Sequence, residues 1–167
     1  RSPSRGLGDV YKRQGYHPGS WIQYTSGKVG DEGKVVGIDI REVNPQVAAI
    51  ANVDVFEKDI NDVKTLEELG VQGQFDVVVS DMAPNTTGIK SLDQTRSLQL
   101  VEMAFFHLTK FLKNGGNFVI KVFDSHEAQV FLKEQKSLFK SYNYLKPKST
   151  RSVSKEFFVI GTGYINE

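Results

Sequence analysis

Apolar residues in this chain fall into short runs separated by longer segments with helical spacing. Three runs are rich in β-branched residues and predict buried strands, at positions 34–40, 75–81 and 117–123. A fourth run, at 53–60, alternates apolar and polar residues and predicts a weaker strand. Two further apolar runs, at 142–147 and 155–165, predict a closing pair of strands.

Helical segments are predicted between these runs. The segment 62–70 predicts a helix with Asp62 as N-cap and Gly70 as its stop, and 125–139 predicts a helix capped by Ser125. The segment 91–116 contains a long amphipathic helix that the glycines near position 115 are expected to end. Its apolar residues keep helical spacing at Leu98, Val101, Phe105, Leu108 and Leu112.

The order of these elements predicts the fold class. Strands that alternate with helices are typical of a Rossmann-like α/β fold, a mostly parallel sheet with helices on both faces. The last two strands follow one another with no helix between them. They therefore predict an antiparallel final strand at one edge of the sheet.

The amino-acid composition disfavours several classes of protein, among them membrane-spanning, disulfide-bonded and metal-binding proteins. The chain has 167 residues, 39% hydrophobic and 25% charged, which suits one globular domain. No apolar run approaches the roughly 20 residues of a membrane-spanning helix, and no apolar leader opens the sequence. Without cysteine there is no disulfide or thiolate metal site, and three scattered histidines predict no metal centre. We expect a cytoplasmic protein with no membrane partner.

Charge is unevenly distributed along the chain. The net charge is +1, but positions 121–167 hold 8 basic and 5 acidic residues. A basic C-terminal third fits a polyanionic partner, and it equally fits an ordinary solvated surface.

Three carboxylates lie at the carboxyl ends of predicted strands, where ligands bind in an open α/β sheet. They are Asp39, Asp59 and Asp81. Asp39 could accept hydrogen bonds from the ribose hydroxyls of an adenosyl ligand, or it could be a strand-end turn residue. Gly19, before a predicted helix, would let backbone N–H groups approach such a ligand. The dinucleotide pattern GxGxxG is absent, which disfavours NAD.

Lys121 is a charged residue inside an apolar strand, "FVIKVF". A buried ammonium must find a partner or lose its proton, and Asp81 ends the preceding predicted strand. Lys121 could act as a general base, or it could extend to solvent from an edge strand. Glu156 begins the last apolar run, where a solvated side chain is the ordinary interpretation.

Five motifs in this order resemble one known family. They are "PGSWIQY", "GIDI", "SDMAPNTTG", "FVIKVF" and "SKEFFVIGTG". Together, over 15–164, they resemble the FtsJ/RrmJ family of S-adenosylmethionine-dependent ribosomal RNA ribose 2′-O-methyltransferases. The resemblance implies a seven-stranded sheet, S-adenosyl-L-methionine as cofactor, and a uridine of large-subunit ribosomal RNA as substrate. It also implies a monomer that acts on RNA within the large ribosomal subunit.

The resemblance assigns roles to individual residues. Lys121, Asp81 and Glu156 match three of the family's four catalytic residues, with Lys121 taking or orienting the proton of the 2′-hydroxyl. The cofactor residues would be Gly19 and Trp21 in the loop, Asp39 at the ribose, Asp59 at the adenine and Asp81 near the methionine. Four basic residues would contact RNA phosphates, namely Lys146, Lys148, Arg151 and Lys155.

The beginning of the chain departs from the family pattern. Residues 11–14 are too polar for a central strand, and the family's first catalytic lysine has no match, since Lys12 lies too close to the loop. We predict that residues 1–14 are not native and that the methyltransferase domain spans 15–167. The first strand would then be missing or non-native, with low stability and little methyl transfer as the consequence.

Two other functions remain open. A transfer RNA ribose methyltransferase of the same family would carry the same catalytic residues. A non-catalytic nucleotide- or RNA-binding module of Rossmann-like fold would need neither Lys121 nor Asp81. Mutation of Lys121 separates an enzyme from such a module.

Overall fold

The computed structural model describes residues 6–8, 20–146 and 155–166. The strands are β1 (Gly6–Gly8), β2 (Val35–Asp39), β3 (Val53–Glu57), β4 (Phe75–Ser80), β5 (Leu112–Phe123), β6 (Phe139–Leu145) and β7 (Glu156–Tyr164). The α-helices are α1 (Ser20–Val29), α2 (Pro45–Ala48), α3 (Lys90–Phe106), α4 (Leu108–Phe111) and α5 (His126–Gln135). Strands and helices therefore alternate through most of the chain, as predicted.

The strands form two hydrogen-bonded groups, in the orders β1-β2-β3 and β4-β5-β7-β6. All pairings are parallel except those of β7, which lies antiparallel between β5 and β6. β1 also lies next to β4, so the two groups meet there. This arrangement confirms the Rossmann-like α/β class and the antiparallel final strand.

Alternation along β2 explains why helices cover both faces. Val36 and Ile38 point into a large apolar core that also contains residues of α3, α4 and α5. Val35 points the other way, into a smaller core with Ile22 of α1 and Val47 of α2. Because successive side chains of a strand point to opposite faces, one short run supplies both cores.

The segment 62–70 is not the predicted α-helix. It contains parts of two 3₁₀ helices, Ile60–Asp62 and Leu66–Leu69. The buried Val63 adopts extended geometry between them and stops helix propagation. The N-cap of the first turn, Ile60–Asp62, is Asp59 and not Asp62, since the Asp59 side chain accepts a hydrogen bond from the Asn61 N–H. Gly70 does end the second turn, with a left-handed φ of 67°.

The long helix ends earlier than predicted. α3 stops at Phe106, and a single further turn, α4, leads directly into β5 at Leu112. Leu112 is fully buried and pairs with Phe75 of β4, so packing in the sheet draws it out of the helical run. Gly115 has a φ of 80°, and the β4–β5 register shifts between Phe75 and Val77. The glycines therefore belong to an irregular strand and not to a helix stop.

The start of the sheet also differs from expectation. Gly6–Gly8 forms β1, which pairs parallel with the first residues of β2. A strand therefore occupies this place in the sheet, and it lies within residues 1–14, so of the two expected outcomes, missing or non-native, the second stays open. β1 lies ahead of residues 11–14, so their polarity does not bear on it. Residues 9–19 lie outside the described residues, and the origin of residues 1–14 stays a prediction.

The closing elements form in the predicted order, but α5 ends at Gln135, a 3₁₀ turn follows at Lys136–Leu138, and β6 begins at Phe139, within the predicted helix. Ser125 caps α5 by accepting from the Ala128 N–H, and β6 and β7 form an antiparallel pair at the edge of the sheet. Within the described residues, every helix is too short or too polar to cross a bilayer.

Candidate functional site

A cleft of about 500 Å³ lies at the carboxyl ends of the parallel strands. Its floor comes from the ends of β2 and β4 and from the segment after β3, and α3 and α4 form one wall. This is the position at which an open α/β sheet binds its ligand. Two of the predicted carboxylates, Asp39 and Asp59, line this cleft.

Asp39 ends β2 with one oxygen engaged and one free. Its Oδ1 accepts the Arg41 N–H at 2.9 Å, which fixes the carboxylate. Its Oδ2 is buried and has no hydrogen-bond partner among the described residues. A buried carboxylate oxygen without a donor is costly, so a ligand with hydroxyl donors would satisfy it. The neighbouring Ile40 is 71% exposed and gives the same cleft an apolar wall.

Asp59 occupies the far end of the cleft from β4. Its Oδ1 accepts the Asn61 N–H at 2.9 Å and thereby starts the 3₁₀ turn Ile60–Asp62. The apolar Ile60 follows it in the lining. A flat, apolar ring with polar edges, such as a nucleobase, fits between such groups.

The loop after β4 is held by one carboxylate of α3. Asp93 accepts hydrogen bonds from the Thr87 N–H and hydroxyl, both at 2.8 Å, and from the Gly88 N–H at 3.2 Å. The backbone bond from Thr87, followed by its hydroxyl, lowers the pKa of Asp93 below its ordinary value. Since Met82 and Pro84 in this loop line the cleft, Asp93 helps to fix the shape of the site.

Lys121 and Asp81 form a buried ion pair. The Lys121 ammonium contacts Asp81 Oδ1, and the two side chains are only 6% and 12% exposed. The pairing follows from topology, because β4 and β5 are parallel neighbours and Ser80 is in register with Ile120. Burial of an ion pair carries a large desolvation cost, so it is weak support for stability and a reason to look for chemistry.

Glu156 shares a sheet face with Lys121. In the antiparallel β5–β7 ladder, Lys121 lies opposite Phe158 and Phe123 lies opposite Glu156. Residues opposite each other point to one face, and diagonal neighbours come within reach of long side chains. Glu156 is half-buried at the first position of β7.

Trp21 packs on the same face. Its ring lies 5.8 Å from that of Phe158, centroid to centroid, at an interplanar angle of 30°. The second residue of α1 therefore lies against the direct cross-strand partner of Lys121. Gly19 lies outside the described residues.

The structure thus brings the sequence-predicted residues into two adjoining groups. Asp39 and Asp59 line the cleft, and Lys121, Asp81, Glu156 and Trp21 gather beside it. The α3–α4 wall of the cleft was not predicted, and its polar members are Arg96, Gln99 and His107. His107 carried a signal in the sequence, since it is the one histidine within the apolar periodic segment 91–116.

Sequence comparison finds similar proteins over most of this chain. The family model described as "FtsJ-like methyltransferase" matches residues 13–164. A "Ribosomal RNA large subunit methyltransferase E" of Bdellovibrio bacteriovorus is 40% identical over 154 residues, which cover 92% of this chain and 79% of the relative. A protein of the same name from Wolbachia sp. subsp. Brugia malayi is 43% identical over 152 residues, covering 91% of this chain and 67% of the relative.

Solved structures share the fold. A ribosomal RNA methyltransferase of Plasmodium falciparum has a TM-score of 0.79 at 20% identity, covering 100% of this chain and 89% of that chain. A SAM-dependent O-methyltransferase of Thermotoga maritima has a TM-score of 0.60 at 15% identity, covering 99% of this chain and 61% of that chain. At these identities the likeness establishes the methyltransferase fold.

Proposed function

The chain belongs to the FtsJ-like methyltransferase family, and we propose that it transfers a methyl group from S-adenosyl-L-methionine to a ribose 2′-hydroxyl of RNA. The substrate class we propose is large-subunit ribosomal RNA, because the similar proteins of Bdellovibrio and Wolbachia carry that substrate in their names. The observation that carries the proposal is the buried Lys121–Asp81 pair with Glu156 on the same face.

The cleft fits the cofactor. The free Oδ2 of Asp39 would accept from the ribose hydroxyls, and Ile40, Ile60 and Asp59 would surround the adenine. Asp81 would lie near the methionine end, since it follows Ser80 at the opposite side of the floor. S-adenosylmethionine supplies a methyl group activated by its positively charged sulfur.

Lys121 is the residue we propose to act on the proton. It would take or orient the proton of the 2′-hydroxyl as the oxygen forms a bond to the methyl group and the carbon–sulfur bond breaks, which releases S-adenosylhomocysteine. Asp81 fixes the position of the Lys121 Nζ, and Glu156 adds a second carboxylate on the same face. With an activated methyl group, most of the rate enhancement would come from positioning and local electrostatics.

RNA would approach over the basic end of the chain. Lys146 and Lys155 are exposed and flank the start of β7, where Glu156 begins. Such lysines make phosphate contacts that weaken with salt. Lys148 and Arg151, the other two predicted contacts, lie outside the described residues. We propose a monomer that works in the cytoplasm, and light scattering would test the first of these.

The decisive experiment measures transfer of a labelled methyl group from S-adenosylmethionine to ribosomal subunits, free ribosomal RNA and transfer RNA. We expect label on the large subunit or its RNA, at ribose and not at base. Label on transfer RNA alone would support the transfer RNA enzyme instead. Tight binding of S-adenosylhomocysteine with transfer to none of these RNAs would favour the non-catalytic module.

A further inference from the structure

His107 is a buried histidine at the wall of the cleft. It caps the end of α3, is 4% exposed, and packs against the rings of Phe106 and Phe111. Its Nε2 lies 3.0 Å from Asn61 Oδ1, across a separation of 46 residues. The proposed chemistry uses neither residue, so this long-range contact needs its own explanation.

The protonation state of the ring follows from its neighbours. The Asn61 Nδ2 group lies 2.9 Å from the Met103 sulfur, and a thioether can only accept. The amide nitrogen of Asn61 therefore faces Met103, and its oxygen faces His107. Since that oxygen needs a donor, Nε2 carries the proton. Nδ1 is then a bare acceptor, buried and without a hydrogen-bond partner among the described residues.

Asn61 joins His107 to the ligand-facing part of the cleft. Its backbone N–H donates to Asp59 Oδ1, and Asp59 and Ile60 line the cleft. A second bond ties the same segment to the helices, from Lys110 Nζ to the Val63 carbonyl at 2.6 Å. The segment 59–63 is therefore positioned by α3 and α4, and not by the sheet alone.

We propose that His107 is a positioning residue for the nucleobase of the cofactor, which it serves in its neutral form by holding Asn61 and, through Asn61, Asp59. This inference rests on the proposed use of S-adenosylmethionine. Protonation of the ring on acidification releases the segment and weakens cofactor binding. Histidine thereby makes the affinity of this cleft sensitive to pH below neutrality.

The charges around His107 set the direction of this effect. A second proton on Nδ1 would be buried with no acceptor, so the charged ring must leave its place to reach water, and the Asn61 bond is then lost. Burial lowers the pKa of His107, Lys110 of α4 lowers it further, and Asp59 of the facing segment opposes both. The neutral ring therefore prevails at pH 7, and the second proton arrives below the ordinary value of 6.5.

Two substitutions separate positioning from mere packing. In His107→Gln the side-chain amide can donate to Asn61 in place of Nε2 but does not titrate. In His107→Leu the apolar bulk remains and the donor is lost. His126→Gln is the matched control, because His126 is exposed on α5 and does not line the cleft.

The test is calorimetric titration of the full chain with S-adenosylhomocysteine at pH 7.5 and 5.5. For the wild type and His126→Gln, we expect weaker binding at pH 5.5. His107→Gln should bind as the wild type does at pH 7.5 and lose most of the pH dependence. His107→Leu should bind about 5- to 10-fold more weakly at pH 7.5, the effect of one lost hydrogen bond.

Two results would overturn the inference. One is a His107→Gln variant with the same pH dependence as the wild type, and the other is a His107→Leu variant that binds as tightly as the wild type. A wild type that binds no S-adenosylhomocysteine at pH 7.5 would contradict the proposed cofactor instead. In that case nitrogen-15 NMR still tests the positioning arrangement: a neutral ring protonated on Nδ1 would refute it, and one protonated on Nε2 supports it.

Discussion

Lys121 lies directly opposite Phe158 in the β5–β7 ladder, and Trp21 of α1 packs on that phenyl ring. The same Lys121 pairs with Asp81 at the end of β4. One side chain therefore connects three parts of the site that are far apart in sequence. An ordinary surface lysine has no need of such an environment, because its ammonium is solvated in water.

Replacement of Lys121 by Ala is expected to lower methyl transfer by about 100- to 10,000-fold, the usual contribution of a positioned acid–base group. Binding of S-adenosylhomocysteine should remain, because Lys121 does not line the cofactor cleft. Single-turnover transfer and calorimetry, measured on one preparation, give the two quantities.

Lys113→Ala is the matched control for Lys121→Ala. Lys113 also lies on β5 and also pairs with an aspartate, Asp76 of β4 at 2.8 Å, but its side chain is 45% exposed. An exposed pair contributes about 0–1 kcal/mol, so this variant should keep both activity and stability. Equal losses from Lys113→Ala and Lys121→Ala would contradict a catalytic role for Lys121.

Replacement of Asp81 by Ala should be more damaging to stability than replacement of both partners. The single change leaves the Lys121 ammonium buried without its carboxylate, which costs about 3–5 kcal/mol in comparable pairs. The double change Asp81→Ala with Lys121→Met removes both charges, and its cost should be well below that of Asp81→Ala alone. Urea unfolding of the wild type, of Asp81→Ala, of Lys121→Met and of the double variant measures the four free energies of unfolding in this cycle.

Additive costs in this cycle would show that the two charges do not interact in solution. A strong coupling, by contrast, would confirm the pair but would not measure its catalytic value. The catalytic role of the pair is therefore measured separately, as the rate of methyl transfer by the Lys121 variants.

Replacement of Asp39 by Ala tests the cofactor cleft. Loss of a carboxylate that accepts two ribose hydroxyls is expected to weaken S-adenosylhomocysteine binding by about 10- to 100-fold, since bonds to charged groups contribute about 1.5–3 kcal/mol. Asp54→Ala on the adjacent strand β3 is the control, because Asp54 pairs with Lys34 and does not line the cleft. Binding that responds equally to both changes would argue against the ribose contact.

The chemistry of this site was more visible in the sequence than its local geometry. Lys121 and Asp81 were conspicuous because a charge within or directly after an apolar strand is unusual, and parallel neighbours bring strand ends together. The ends of α3 and the turns around Val63 were mispredicted for the opposite reason. There the outcome depends on which apolar side chains the sheet buries, Leu112 and Val63 among them, and local sequence does not encode that choice.

The contacts of the α3 wall could not be predicted from the sequence, for a related reason. His107 has the spacing of a core residue on an amphipathic helix, and nothing nearby in sequence identifies Asn61 as its partner. Contacts between residues so far apart follow from the packing of a helix on the edge of a sheet. Periodicity predicts that such a face is buried, but not what it contacts.

Acidification should destabilise the wild type more than His107→Gln. Because the pKa of His107 is lowered in the folded chain, the unfolded chain takes up the proton first as pH falls. The stability that the neutral ring contributes is therefore present above the ordinary value of 6.5 and is lost as pH falls from there through the folded pKa. Thermal unfolding between pH 7.5 and 5 should show a steeper fall in Tm for the wild type and for His126→Gln than for His107→Gln. Parallel curves for all three proteins would show that His107 keeps its ordinary pKa on folding, and the pH dependence of the cleft would then need another titrating group.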